Sequence, residues 1–146
     1  MSPPACTFCA IVAGGVAAHR VLEDDTCVAF LDARPLFPGH VLVVPREHRE
    51  TLADLKASEL VAMFEAARRL SHAVEHGLGA EGSFVAMNNR VSQSVPHAHV
   101  HVVPRRKGDG LRGFFWPRHK YESDEQAEAV AAKLRASLRC RGRILP

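Results

Sequence analysis

No apolar run in these 146 residues approaches the ~20 needed for a helix that spans a bilayer. The N-terminus lacks the basic-then-apolar pattern of a secretory leader, so a cytoplasmic protein is expected. Aromatics are scarce, with one Trp and one Tyr. There is no aromatic–basic pattern of an RNA-recognition module and no DNA-reading motif, so nucleic acid is not an expected partner. Four cysteines (Cys6, Cys9, Cys27 and Cys140) are too few for a disulfide scaffold in a chain of this size. Internal repeats and low-complexity tracts are absent. What remains is an ordinary globular composition, long enough for one domain with its own core. We read residues 1–146 as a single domain, with a core of about 6–104 and a basic loop and C-terminal helix over 105–146. Residues 1–104 hold 8 Lys/Arg against 11 Asp/Glu, whereas 105–146 hold 11 against 5. Such a basic region suits an anionic ligand.

Periodicity supplies the elements. Cys6 to Val12 opens as a short helical turn, broken at Gly14-Gly15. Val21–Glu23 and Cys27–Asp32 read as strands joined by a hairpin turn at Glu23-Asp24-Asp25. His40–Pro45 is a third strand. Ser58 is the expected N-cap of a helix whose apolar stripe runs Leu60, Met63, Phe64, Ala67, Leu70, Val74 and which ends at Gly77 and Gly79. Phe84–Asn88 and Ser94–Val103 are the fourth and fifth strands. Arg105–Tyr121 has no period. Ser123-Asp124-Glu125-Gln126 is a capping box, and Ala127, Val130, Ala131, Leu134 and Leu138 make the inner face of a last helix. The expected class is α+β: a five-stranded, mainly antiparallel sheet with one inserted helix and one C-terminal helix.

The most informative stretch is His97-Ala98-His99-Val100-His101-Val102-Val103. A strand sends alternate side chains to opposite faces, so three imidazoles share one face and Ala98, Val100 and Val102 the other. Near neutral pH an imidazole serves as nucleophile, proton carrier or metal ligand. A neutral ring nitrogen attacks phosphorus to give a phosphoramidate that water then opens, provided the other nitrogen is held by a hydrogen bond. Asp32, at the end of an apolar strand, suits a pair of ribose hydroxyls, or else starts the turn before Arg34-Pro35. Phe8, Ile11, Leu31 and Leu42 are candidates for a base pocket and equally for plain core. Cys6-Thr7-Phe8-Cys9 has the gap that lets two thiolates reach one tetrahedral ion, but a single CxxC is also a redox pair or nothing. Cys27 is expected to be a buried free thiol, and Cys140 incidental.

The His-x-His-x-His-x-x run, with Gln93-Ser94-Val95 upstream, Phe30-Leu31-Asp32, and Pro38 to His48, resembles the histidine triad (HIT) family, in a bacterial Hint/Fhit-like form with a CxxC zinc motif. The likeness spans about Cys6 to Pro104 and continues loosely to Trp116-Pro117. It implies a homodimeric nucleotide hydrolase that works through a covalent nucleotidyl-histidine on purine nucleotides. Its substrates would be phosphoramidates, adenylylated compounds or dinucleoside polyphosphates, and it would release a nucleoside monophosphate. A nucleotide-binding regulatory protein with incidental hydrolysis, a nucleotidyltransferase and a plain zinc protein are the alternatives. By resemblance His99 is the nucleophile and His101 the donor to phosphate oxygen, with His97 flanking. Ser94 adds donors, Gln93 meets the leaving group, and Asp32, Leu31, Phe8 and Asn89 or Asn88 hold the nucleotide. His40 supports the site from behind. A subset of bacterial members further implies a structural zinc on Cys6, Cys9, His48 and His97. One departure stands out: the family's glycine-rich loop is here Asn88-Asn89-Arg90-Val91-Ser92-Gln93, with no glycine, so left-handed backbone is less accessible and Arg90 adds a charge.

Overall fold

Two long apolar strands and a histidine-bearing one have both faces covered, and the sheet is arranged around that fact. The computed structural model describes residues 5–111 and 118–140, without the Cys140 side chain. The chain divides into two compact units, one ending at Asp109 and the other beginning at Gly110. In the first, α1 (Thr7–Val12) is followed by β1 (Arg20–Glu23), β2 (Cys27–Leu31) and β3 (Val41–Pro45). A 3₁₀ turn at Leu52–Asp54, α2 (Ala57–Leu78), β4 (Gly82–Ala86) and β5 (Val100–Arg105) complete it. The strands form one sheet in the order β1-β2-β3-β5-β4, and every pairing is antiparallel. Central β2, β3 and β5 are almost wholly buried, whereas edge strands β1 and β4 are largely exposed or half-buried.

Alternation sorts the side chains. Cys27, Ala29, Val41, Val43, Ala98, Val100 and Val102 pack with Met63, Ala66, Ala67 and Leu70 of α2. Val28, Phe30, Leu42 and Val44 pack on the other face with Phe8 and Ile11 of α1. The histidines therefore fall on the α1 side. Cys27 is a fully buried free thiol, as expected, and burial pushes it up to about 11. Gly39, at the β2–β3 turn, has φ +99, and a Cβ there would lie 2.3 Å from Leu78 Cδ1 and 3.1 Å from Pro104 Cγ. Only glycine meets both demands.

Boundaries differ from the sequence reading in several places, each for a local reason. The fifth strand begins at Val100 rather than Ser94, because the preceding amides pair elsewhere: His97 N–H donates to Val95 O and Ala98 N–H to Arg49 O. It also runs past Pro104, which pairs with Ser83. β4 ends at Ala86, because Asn88 and Asn89 are used in loop bonds. Helix α2 is capped two residues earlier than Ser58: Lys56 is the N-cap, and the Glu59 carboxylate accepts its N–H at 2.7 Å. Phe64 is not on the buried stripe; it is exposed, and Glu59 and Ala66 are buried instead. Gly79, with φ 68, ends the helix as expected, whereas Gly77 does not and lies within its last turn. In the second unit α3 (Asp124–Cys140) is capped by Ser123 Oγ, which accepts the Gln126 N–H. The leucines assigned to its inner face, Leu134 and Leu138, are exposed. Trp116-Pro117 lies outside the described residues.

Candidate active site and metal centre

The alternation of residues 97–101 continues upstream of the ladder, so all three histidines face α1. His97 and His99 are fully buried and His101 is half-buried. The His99 and His101 ring centroids are 4.9 Å apart. The edge of the Phe8 ring meets His99 at 5.1 Å and His97 at 5.9 Å, and Phe30 at 5.5 Å.

Hydrogen bonds assign the tautomers. His99 Nδ1 lies 2.7 Å from the His97 carbonyl, so Nδ1 carries the proton and Nε2 the lone pair. Among the described residues Nε2 has no partner, and no fully buried side-chain nitrogen goes unpartnered, so this nitrogen reaches the surface. A second chain starts at the Leu36 N–H, which donates to His40 Nδ1 at 3.1 Å. His40 Nε2–H must then donate to His101 Nδ1, 2.9 Å away, which leaves His101 Nε2–H as an outward donor. One ring thus presents a lone pair and its neighbour a proton. Burial holds His101 down to about 4, with His99 and His40 nearby adding to the effect, so the donor is a neutral imidazole at working pH. Burial lowers His40 and His97 as well.

The remaining site residues fall into distinct places. Asp32 starts the turn before Arg34-Pro35, its Oδ1 accepting the Arg34 N–H, and its Oδ2 stands 3.8 Å from His40 Nδ1. Gln93 anchors its loop, donating to Glu50 O and accepting the Arg90 N–H. Asn89 Oδ1 accepts the Leu52 N–H, and Asn88 donates to Ser92 O. Ser94 lines a cavity of about 320 Å³ with Cys6, Thr7, His48 and Glu50. Leu31 is the exception. Strand alternation turns it to the α2 face, where it lines a separate apolar cavity of about 690 Å³ with Phe37, Val41, Leu70 and Val74, away from the histidines. Arg49 was not foreseen: its carbonyl accepts Ala98 N–H, and its Nε sits 3.1 Å and 3.2 Å from the buried Glu59 carboxylate. No motif flags a residue whose role is a backbone carbonyl.

Four ligand atoms of Cys6, Cys9, His48 and His97 lie within 4.8 Å of one another. Cys9 Sγ is 3.2 Å from His48 Nδ1 and 3.5 Å from His97 Nδ1, and Cys6 Sγ is 3.5 Å from His97 Nδ1. Tetrahedral zinc with ordinary bond lengths separates sulfur and nitrogen ligands by about 3.6 Å. His97 Nε2 lies 2.9 Å from the Pro45 carbonyl, so its proton sits there and Nδ1 offers a lone pair toward the sulfurs. Burial and the adjoining Cys6 push the Cys9 thiol up to about 11, and a cation is what reconciles two neighbouring thiolates. The four residues therefore fit a zinc ion. The set is closed, so such a metal would supply structure and not an activated water.

A buried face of three imidazoles with fixed tautomers, on a five-stranded antiparallel sheet, defines a centre suited to nucleophilic work on an electrophile such as phosphorus. Residues 14–108 match the HIT domain family model, and the chain belongs to that family. It is similar to the adenylylsulfatase HINT3 of Arabidopsis thaliana, 31% identical over 91% of this chain and 69% of that protein. A bis(5'-nucleosyl)-tetraphosphatase of Schizosaccharomyces pombe is 40% identical over 56% of this chain and 46% of that protein. The family therefore includes nucleotide hydrolases. Among solved structures, a zinc-bound histidine triad family protein from Mycobacterium smegmatis superposes with TM-score 0.70 at 36% identity, over 90% of this chain and 96% of that one.

Proposed function

We propose that this chain is a nucleotide hydrolase that acts at an α-phosphate through a covalent nucleotidyl-histidine. The observation that carries the reading is the 2.7 Å bond from His99 Nδ1–H to the His97 carbonyl, which makes Nε2 the nitrogen with the lone pair in the neutral ring. His99 Nε2 attacks the α-phosphorus, forming a P–N bond as the P–O or P–N bond to the leaving group breaks. Water then cleaves the P–N bond and releases the nucleoside monophosphate. His101 Nε2–H donates to a non-bridging oxygen as charge grows there. Ser94 adds donors to the same oxygens, and Gln93 meets the leaving group once it is released from its loop bonds. Asp32 accepts the ribose hydroxyls, Phe8 covers a purine base, and Asn88 and Asn89 shape the rim. A structural zinc on Cys6, Cys9, His48 and His97 ties α1 and the end of β3 to the triad segment. The substrates this reading requires belong to the intracellular nucleotide pool, in keeping with a cytoplasmic protein.

Replacement of His99 by Ala tests the reading against a panel of adenosine and guanosine phosphoramidates, adenylyl sulfate and diadenosine polyphosphates. Turnover should fall at least ~10³-fold while AMP still binds. Activity within tenfold of the parent would exclude His99 as nucleophile. A denatured, acid-labile nucleotidyl-protein adduct that is absent in His99→Ala is the expected intermediate.

A further inference from the structure

The candidate metal centre and the nucleophile meet at His97. His97 would be a ligand through Nδ1, which lies 3.5 Å from both sulfurs, and its own carbonyl is the acceptor that fixes the His99 tautomer at 2.7 Å. Its Nε2 is tied to the Pro45 carbonyl at 2.9 Å, so the ring has no free rotation left once Nδ1 is engaged. Phe8 makes a second connection. It sits between ligands Cys6 and Cys9 in the chain, is buried, and puts its ring edge on His97, His99 and Phe30. The six-residue helix that carries it is too short to hold its own conformation in water. Its N-cap is the Cys6 sulfur, which accepts the Cys9 N–H at 3.4 Å, so the ligand that would bind the ion also starts the helix.

We infer that His97 and Phe8 are positioning residues through which occupancy of the Cys6–Cys9–His48–His97 centre sets the tautomer of His99 and the wall of the nucleotide pocket. With the centre filled, the His97 carbonyl and the Phe8 ring are held against His99, and Nε2 stays the free nitrogen. With it emptied, Cys6, Cys9 and His48 no longer hold α1 to the triad segment. Phe8 then leaves the His99 ring, and Nδ1 and Nε2 compete for the proton. Zinc would thus act on binding and on the ring's orientation without touching the reacting phosphate. The inference rests on the reading of His99 as nucleophile only for its effect on turnover. The tautomer and AMP affinity can be measured whether or not the chain hydrolyses anything.

The experiment uses the full chain labelled with ¹⁵N-histidine, at a fixed pH of about 7.5, with zinc content measured before and after chelation. Long-range ¹H–¹⁵N spectra report the tautomer of His99, assigned by the signal lost in His99→Asn. Expected results are one zinc per chain, a single Nδ1–H tautomer when loaded, and a mixture of tautomers after stripping. The dissociation constant for AMP should rise about tenfold, the scale of effects seen when support around a metal site is lost. Readdition of zinc should restore both. His48→Ala should reproduce the stripped state, and His48→Cys, which restores a fourth ligand, should return it toward the parent. The inference is overturned if stripping leaves tautomer and AMP affinity unchanged, or if no stoichiometric zinc binds. It is equally overturned if the stripped chain loses more far-ultraviolet helical signal than the six residues of α1 account for, because the metal would then be a folding staple rather than a positioning device. Failure of the hydrolase reading would look different: no turnover on any substrate, with the zinc-dependent tautomer intact.

Discussion

At the scale of single residues, the centre depends on imidazoles that stay neutral because they are buried. His101 is held down to about 4 against an ordinary value of 6.5, and His40 and His97 are lowered too, burial being the first cause in each. Between those pH values the unfolded chain binds protons that the folded chain refuses. Stability therefore climbs as pH rises from about 4 to about 6.5, and it is lost progressively as pH falls through that window. The urea midpoint should drop between pH 7 and pH 5.5, a range above the titration of ordinary carboxylates. His101→Gln keeps an acceptor for His40 Nε2–H, so the fold should survive with a shallower drop; an unchanged slope would show that His101 does not contribute. These pairings were only partly legible in the sequence. Period 2 put three imidazoles on one face, since alternation is a property of extended backbone whether or not it is laddered. The groups that set the tautomers, the Leu36 N–H donor and the His97 and Pro45 carbonyl acceptors, belong to the backbone and have no sequence signature.

Elements place those residues, and two of them carry tests. The loop 88–93 lacks glycine yet takes left-handed backbone at Arg90 (φ 68) and Ser92 (φ 60). The bonds of Asn89 to Leu52 N–H, of Gln93 to Arg90 N–H and of Asn88 to Ser92 O over-determine that shape, which local propensity alone opposes. Arg90→Gly removes the steric cost at one position and should stabilise the fold by up to ~1 kcal/mol in urea titration. A destabilised variant would mean that the side chain, not the backbone, holds the loop. The start of α2 is the second case. The Glu59 carboxyl is pushed up by burial, but Arg49 and the Lys56 N–H outweigh this and leave it below its usual range. Arg49 also presents the carbonyl that Ala98 N–H uses beside the triad. Glu59→Gln leaves a half-buried guanidinium short of its partner and should cost about 2 kcal/mol, read as a lowered urea midpoint at pH 7. Glu59 was readable as a dipole partner from Ser58-Glu59, but its burial was not, because Arg49 lies ten residues upstream and only the folded chain brings it there.

At the scale of the whole molecule, the open sheet ends in two edge strands, β1 and β4, and the flank at β4 carries a test. β4 is the terminal strand in the order β1-β2-β3-β5-β4, and Val85 on it is 40% exposed. Val85 pairs with Val102, whose side chain faces α2, so Val85 faces the same way. Residues Ala62, Ala66, Ala73 and Gly77 of α2 border cavities on the β1–β2 side, and helical geometry turns Phe64 away from them, toward β4. Phe64 is 45% exposed there. A terminal strand beside two exposed apolar side chains is a template for another strand. A second copy that adds its own β4 antiparallel would continue the sheet across a twofold axis and cover both patches at once. If the chain pairs with itself, this flank is where the contact is expected. Sedimentation equilibrium of the full chain should give twice the 16.0 kDa of one protomer. Val85→Lys with Phe64→Glu should give single protomers that keep far-ultraviolet helicity, because neither residue belongs to the buried clusters. If the double variant remains dimeric, the contact lies elsewhere; if the parent is itself monomeric, the edge is protected by its own shortness, five residues from Gly82 to Ala86.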